Sequence, residues 1–361
     1  MRFLALCLIL LAAANAARAN DSVFKVGVTT RDFTPVEPYD WRGANAHVLR
    51  VMIWYPAAAE AREEPQWIGP PFVPYFSAGS AARDAAPAAG SKHPLVLLSH
   101  GAGGTAAGIA WLGTALAAHG FIAVAVNHPG NNALEDFTVE GFSLWWLRAV
   151  DLSAVLDAML ADKTFGSLID PARIGAAGHS AGGYTVIAVV GGISDPAQLE
   201  AFCRSPVADA LCRPPPEASG MREQRLARLS ADPDFRQRYE RAGRSYRDQR
   251  IRAALAMAPG LVPMFTAESL NAISLPIAIV SGDADEIAPS ASNAEALARQ
   301  IPHATLKLVP RAGHYVFFGT CTVLGRMMVR TACRDPDGVD RDAVHAETIG
   351  LALDFFAASL R

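Results

Sequence analysis

A serine set between glycines, Gly178-His179-Ser180-Ala181-Gly182, stands between a short apolar run, Arg173–Ala177, and an apolar stretch that reads as a helix. Gly-x-Ser-x-Gly between a strand and a helix is the pattern of a nucleophile elbow. Its turn is tight enough to strain the serine backbone, and only glycine-sized neighbours avoid a clash. The hydroxyl is thereby presented at the end of a strand, beside the first free N–H groups of a helix. A serine hydroxyl is a weak nucleophile until a base takes its proton, and the base needs an acid to orient it.

Both partners are met downstream, acid first. The apolar run Pro276–Ser281 leads into Gly282-Asp283-Ala284-Asp285, and Thr305–Val309 leads into Pro310-Arg311-Ala312-Gly313-His314. His314 is the base expected from this order. His303 precedes its strand and falls at the opposite edge of a sheet, while His345 is read as opening a surface helix. Two aspartates compete for the acid. Asp285 has room to turn back toward the histidine, whereas Asp283 is suited to bonding the loop backbone.

Acyl transfer also needs donors for the developing oxyanion, each worth about 3–4 kcal/mol. The run Leu95–Ser99 ends in His100-Gly101-Ala102-Gly103-Gly104, which fits a loop that supplies one N–H across from the elbow. The backbone N–H groups of Ala102 and Ala181 are the expected donors. The same glycines could open a dinucleotide fingerprint, but that motif needs an acid at the end of the next strand. That run ends in Asn127-His128-Pro129-Gly130, so a nucleotide cofactor is not expected.

These loops must be carried by a scaffold. Short apolar runs at Leu95–Ser99, Phe121–Val126, Arg173–Ala177, Ala253–Met257, Pro276–Ser281 and Thr305–Val309 have the length of buried strands. Leu152, Val155, Leu156, Met159 and Leu160 share one helical face, as do Ile349, Leu353, Phe356 and Leu360. Strands alternating with helices predict an α/β domain with a mostly parallel central sheet flanked by helices. Val23–Thr29 and Leu49–Trp54 are read as leading strands, and residues 57–93 as a long surface excursion rich in Ala, Pro and Gly.

Residues 193–250 break the alternation and are read as an inserted helical cap containing Pro214-Pro215-Pro216. From Met221 to Arg252 ten arginines stand against five acids, a net +5 suited to an anionic substrate, a lipid surface or a solvated face. Trp145 and Trp146, at a helix start, are candidates for a pocket wall or for packing.

The runs Leu95–Gly101, His119–His128 and Gly178–Gly183 resemble the α/β-hydrolase superfamily, and within it the platelet-activating-factor acetylhydrolase and predicted dienelactone hydrolase group. Arg50–Pro56 and Asp151-Leu152 ahead of Val155-Leu156-Asp157 are similar to segments of the same group. The resemblance spans about residues 23–360 and implies the α/β-hydrolase fold. It also implies a cofactor-free serine hydrolase acting on a small carboxyl ester, often short-acyl and sometimes lipid. Ser180 then matches the nucleophile, Asp285 the acid, His314 the base, and Ala102 and Ala181 the oxyanion positions. The group's dienelactone members carry cysteine at the elbow, so Ser180 points away from a dienelactone substrate. The alternatives are an amide or peptide hydrolase using the same triad, or a binding protein on this fold.

Residues 1–19 carry a basic start, the apolar run Phe3–Ala14 and Ala17-Arg18-Ala19, the layout of a secretory signal peptide cleaved after Ala19, with Ala16 as the other option. The run is too short to span a membrane, so the mature chain is expected at 20–361, exported to the periplasm or secreted, without a transmembrane segment. An oxidising compartment permits disulfides. With Cys7 lost with the leader, Cys203, Cys212, Cys321 and Cys333 allow three pairings. The sequential one, Cys203–Cys212 and Cys321–Cys333, closes two short loops. No Cys-x-x-Cys or His/Cys cluster has zinc spacing, so no metal is expected. Over 361 residues, 32 basic against 35 acidic side chains argue against nucleic acid as the main partner.

Overall fold

Alternating side chains divide the core into two layers. In a buried strand successive residues face opposite ways. Leu95 and Leu97 accordingly enter one layer, and Val96 and Leu98 the other. The neighbouring strand divides the same way, with Ile122, Val124 and Val126 on one side and Ala123 and Ala125 on the other. The computed structural model describes residues 24–70, 72–213 and 218–361. The predicted leader with Cys7, Val23 and the Pro214–Pro216 run lie outside them.

Eleven strands are described: β1 (Lys25–Phe33), β2 (Leu49–Ala57), β3 (Glu64–Ile68), β4 (Phe76–Arg83), β5 (His93–Ser99), β6 (Ile122–Val126), β7 (Ile169–His179), β8 (Ile251–Met257), β9 (Ile277–Gly282), β10 (Thr305–Val309) and β11 (Thr320–Cys321). They run in the order β10-β9-β8-β7-β5-β6-β2-β1-β4-β11, with β3 on β4. From β10 to β6 every pairing is parallel, while β2 joins β6 and β1 joins β2 antiparallel. The six strands read from apolar runs are the parallel ones. This is the α/β-hydrolase fold.

Helix α1 (Ala110–Ala118) and the C-terminal helix Arg341–Ser359 cover one face. Helices α2 (Leu147–Ala161) and α3 (Ala181–Val189) cover the other. In α2 the periodic residues Leu152, Val155, Leu156 and Met159 are buried, at roughly 1.5–3 kcal/mol each. All nine residues of α3 are buried, which fixes the helix that begins at Ser180.

The excursion expected over residues 57–93 instead holds β3 and β4. Ala- and Gly-rich β4 has little strand propensity of its own. Its ladder is supplied by β3, antiparallel to it from Glu64↔Ala81 to Ile68↔Phe76, and by two strands distant in sequence, β1 beside Ala82 and β11 beside Phe76 and Ser77. Between α3 and β8 lie the helices α4 (Pro196–Arg204), α5 (Met221–Ala231) and α6 (Pro233–Glu240). Their arginines are largely paired. Arg222 and Arg225 meet Glu200, Arg228 meets Glu140 and Asp232, and Arg238 meets Asp40. Trp146 packs in a cluster with Phe235 of α6, and Trp145 packs against Phe142, so both are buried packing residues.

Cys203–Cys212 and Cys321–Cys333 are the disulfides formed, with Cα separations of 5.4 and 5.9 Å. Among the described residues no helix is long and apolar enough to cross a membrane. No group of three or more His, Cys, Asp or Glu there is placed to hold a metal ion.

Candidate active site

Ser180 follows the last residue of β7 and precedes the first of α3, with φ at +57° and ψ at −119°. A non-glycine residue there is strained and needs its surroundings to hold it. They do so through three backbone bonds: Ser180 N–H donates to the Met257 carbonyl (2.9 Å), and the Ser180 carbonyl accepts from Gly260 (3.1 Å) and Tyr184 (3.2 Å). The flanking glycines are sterically required. A Cβ on Gly178 would lie 2.2 Å from the Gly182 carbonyl oxygen, and one on Gly182 only 1.9 Å from that of Ser99.

Oγ of Ser180 lies 2.8 Å from Nε2 of His314, and Nδ1 of His314 lies 2.7 Å from Oδ2 of Asp285. His314 and Asp285 are buried, whereas Ser180 is partly exposed. The other carboxylate oxygen of Asp285 accepts from the N–H groups of Ile287 (2.9 Å) and Ala288 (2.7 Å), which orients it. Asp283 turns the other way and accepts from the Arg311 N–H at 2.5 Å, tying together the two loops that carry Asp285 and His314. Next to the serine, burial foremost and then the neighbouring imidazole of His314 push the His179 imidazole well below the ordinary histidine range. The His179 Nε2 donates to the His314 carbonyl at 3.1 Å.

Ala102 and Ala181 flank the elbow from the β5 loop and the start of α3. Among the hydrogen bonds of the described residues neither backbone N–H has an acceptor. A Cβ built on Gly101 would come within 3.2 Å of the Ser180 Cβ, which brings this loop against the serine.

The turn holding His314 is braced from the C-terminal helix. His345 is buried rather than on a surface, because its ring stacks on Trp111 at 4.1 Å and its Nε2 donates to the Val316 carbonyl at 2.8 Å. His303, in contrast, is exposed at the far end of β10.

A second Ser-His-Asp chain lies beneath the β5 loop. Oγ of Ser99 is 2.9 Å from Nε2 of His128, whose Nδ1 is 2.7 Å from Oδ2 of Asp151. Asp151 also accepts two bonds from Arg42 (2.7 and 2.9 Å) and one from Tyr39. Ser99, His128 and Asp151 show no solvent exposure, so their geometry is closed to a substrate. Burial foremost, together with Arg148 and Arg42, holds His128 well below the usual histidine range. Sequence reading passed over this network. Its signal was polar Arg148 and Asp151 on the face of α2 that otherwise carries Leu152, Val155 and Met159 into the core.

A sheet of this order with a strained serine at its central elbow defines a hydrolase-type α/β protein. The family model Hydrolase_4, described as serine aminopeptidase S33, matches residues 90–320, and the chain belongs to that family. Lipase 1 of Moraxella sp. (strain TA144) is 43% identical over 75 residues, 21% of this chain and 20% of the lipase. Cutinase 1 of Thermobifida cellulosilytica is 34% identical over 99 residues, 27% of this chain and 34% of the cutinase. The matched part thus spans about a fifth of the lipase and about a third of the cutinase. Over the whole fold, a ferulic acid esterase from Streptomyces cinnamoneus superposes with a TM-score of 0.62 at 20% identity, covering 97% of this chain and 92% of that one.

Proposed function

We propose that this chain is a serine hydrolase of carboxyl esters, with Ser180 as nucleophile, His314 as base and Asp285 as its orienting acid. The observation that carries this reading is the 2.8 Å approach of His314 Nε2 to the Oγ of a strained, partly exposed Ser180. The buried Ser99-His128-Asp151 chain has the same residue types but no opening to solvent, which favours Ser180.

The chemistry follows from the positions. Ser180 Oγ attacks the ester carbonyl carbon while its proton passes to His314 Nε2. The carbonyl oxygen, now negative, accepts from the N–H groups of Ala102 and Ala181. The C–O bond to the alcohol breaks as His314 returns the proton to the leaving oxygen. Water, deprotonated by His314, then releases the acid and restores Ser180.

Lipase, cutinase and ferulic acid esterase relatives support esters over the amides that the family description brings to mind. A short acyl group rests on the likeness of Leu95–Gly101 and Gly178–Gly183 to the platelet-activating-factor acetylhydrolase group. Two disulfides support an exported protein, periplasmic or secreted. In this reading residues 193–250 form a cap beside the substrate.

The test is a p-nitrophenyl ester series from acetate to palmitate with Ser180→Ala as control. Cleavage greatest at acetate or butyrate and lost in the variant supports the proposal. Equal rates in wild type and variant overturn the nucleophile, and a maximum at palmitate overturns the short acyl group.

A further inference from the structure

Arg148 is a buried cation behind the oxyanion loop, 1% exposed, and Asp151, one turn along α2, directs its oxygens to Arg42, His128 and Tyr39 instead. Removing a guanidinium from water without a carboxylate partner is costly, so its hydrogen bonds must hold it. All of them run to neutral acceptors: Nε to Thr185 Oγ1 (3.0 Å), one terminal nitrogen to Asn131 Oδ1 (2.9 Å), and the other to Ser99 Oγ (3.3 Å) and the His100 carbonyl.

These acceptors surround the two free N–H groups. His100 lies two residues before Ala102. Asn131 Oδ1 also accepts from the N–H of Gly103, the residue just after Ala102, at 3.1 Å. Thr185 donates its hydroxyl to the Ala181 carbonyl at 2.8 Å. One planar fork thereby joins the β5 loop, on both sides of Ala102, to the first turn of α3.

We propose that Arg148 is a positioning residue that sets the spacing of the Ala102 and Ala181 N–H groups. The proposal rests on the assignment of Ser180 as nucleophile. A guanidinium suits this task because its donors are fixed in one plane on three nitrogens, whereas a lysine ammonium carries its three donors on one freely rotating nitrogen. Oxyanion donors act on the transition state, so disturbing their spacing lowers kcat with little effect on ground-state binding.

Arg148→Lys and Arg148→Gln test it, with Thr185→Val as the milder variant that removes only the link to α3. Each is assayed for kcat and KM on p-nitrophenyl butyrate, affinity for a trifluoromethyl ketone that forms a tetrahedral adduct, and thermal midpoint. The expected result, read in every variant that stays folded, is a kcat lowered about 10-fold or more with KM within about 3-fold. Affinity for the ketone should fall by the same factor, and Arg148→Lys should not restore it. A folded Thr185→Val with unchanged kcat and ketone affinity, or rescue by lysine, overturns the proposal. If Ser180→Ala is as active as wild type, the nucleophile assignment falls and takes this one with it. Loss in Ser180→Ala with none in Thr185→Val brings down the positioning role alone.

Discussion

Nε2 of His345 donates to the carbonyl of Val316 at 2.8 Å, so a residue of the C-terminal helix holds the turn that begins at His314. The bond needs only a neutral imidazole, and the ring lies flat on Trp111. Burial foremost lowers the His345 pKa to about 4.

Stability should therefore depend on His345 in acid. The unfolded chain takes up the proton near the ordinary histidine value of 6.5, whereas the folded chain resists it until about 4. Stability from this group is fully present above about 6.5 and is lost as pH falls through the window to about 4. The contribution is about 3 kcal/mol at most. His345→Gln keeps a donor without a titration. Urea midpoints at pH 7 and pH 4.5 should differ less in that variant than in wild type, and an unchanged difference would refute the argument.

Ser180→Ala should lower turnover by about 10⁴-fold or more without unfolding the protein, because a triad acts as a unit. Ser99→Ala should cost about 1–2 kcal/mol of stability through its lost bonds, and far less turnover. Parallel kcat/KM and melting measurements separate the two serines. A larger activity loss at Ser99 would reverse the assignment.

Asp285 and Asp283 should part in the same way. Asp285→Asn leaves His314 without its charged partner and should lower kcat by about 10⁴-fold. Asp283→Ala loses one bond to the Arg311 N–H and should cost about 1 kcal/mol, with kcat within a few-fold. Steady-state kinetics on both variants decide it, and comparable kcat losses would contradict the geometry.

Gly182→Ala should be among the most damaging single changes. Its Cβ would sit 1.9 Å from the Ser99 carbonyl oxygen, so β5 and α3 must separate. A loss of several kcal/mol and of activity is expected. Gly108→Ala, with nothing within 4 Å, should change the melting temperature little. Similar melting temperatures for the two variants would count against the close packing.

The glycine-flanked turn at Ser180, the loop that carries His314 and the six segments that form the parallel strands were legible because each depends on local spacing: two glycines around Ser180, apolar runs of strand length, and a histidine just past one of them. The split between Asp283 and Asp285 was legible only as a preference. Its resolution depends on where Arg311, in the loop after the neighbouring strand β10, places its N–H. The surface reading of His345 failed because a polar residue in an amphipathic helix ordinarily faces water, and nothing local announces Trp111 and Val316 as its partners.

By itself the sequence determined which residues could do chemistry and which segments would form the parallel strands, since glycine sterics and apolar periodicity act over a few residues. Only the tertiary structure decided which of two Ser-His-Asp chains meets solvent, which cysteines pair, and that β3 and β4 join the sheet. Those outcomes depend on burial and on contacts between segments as far apart as residues 76 and 321. Such contacts arise when the whole chain closes over its core, and no local pattern encodes them.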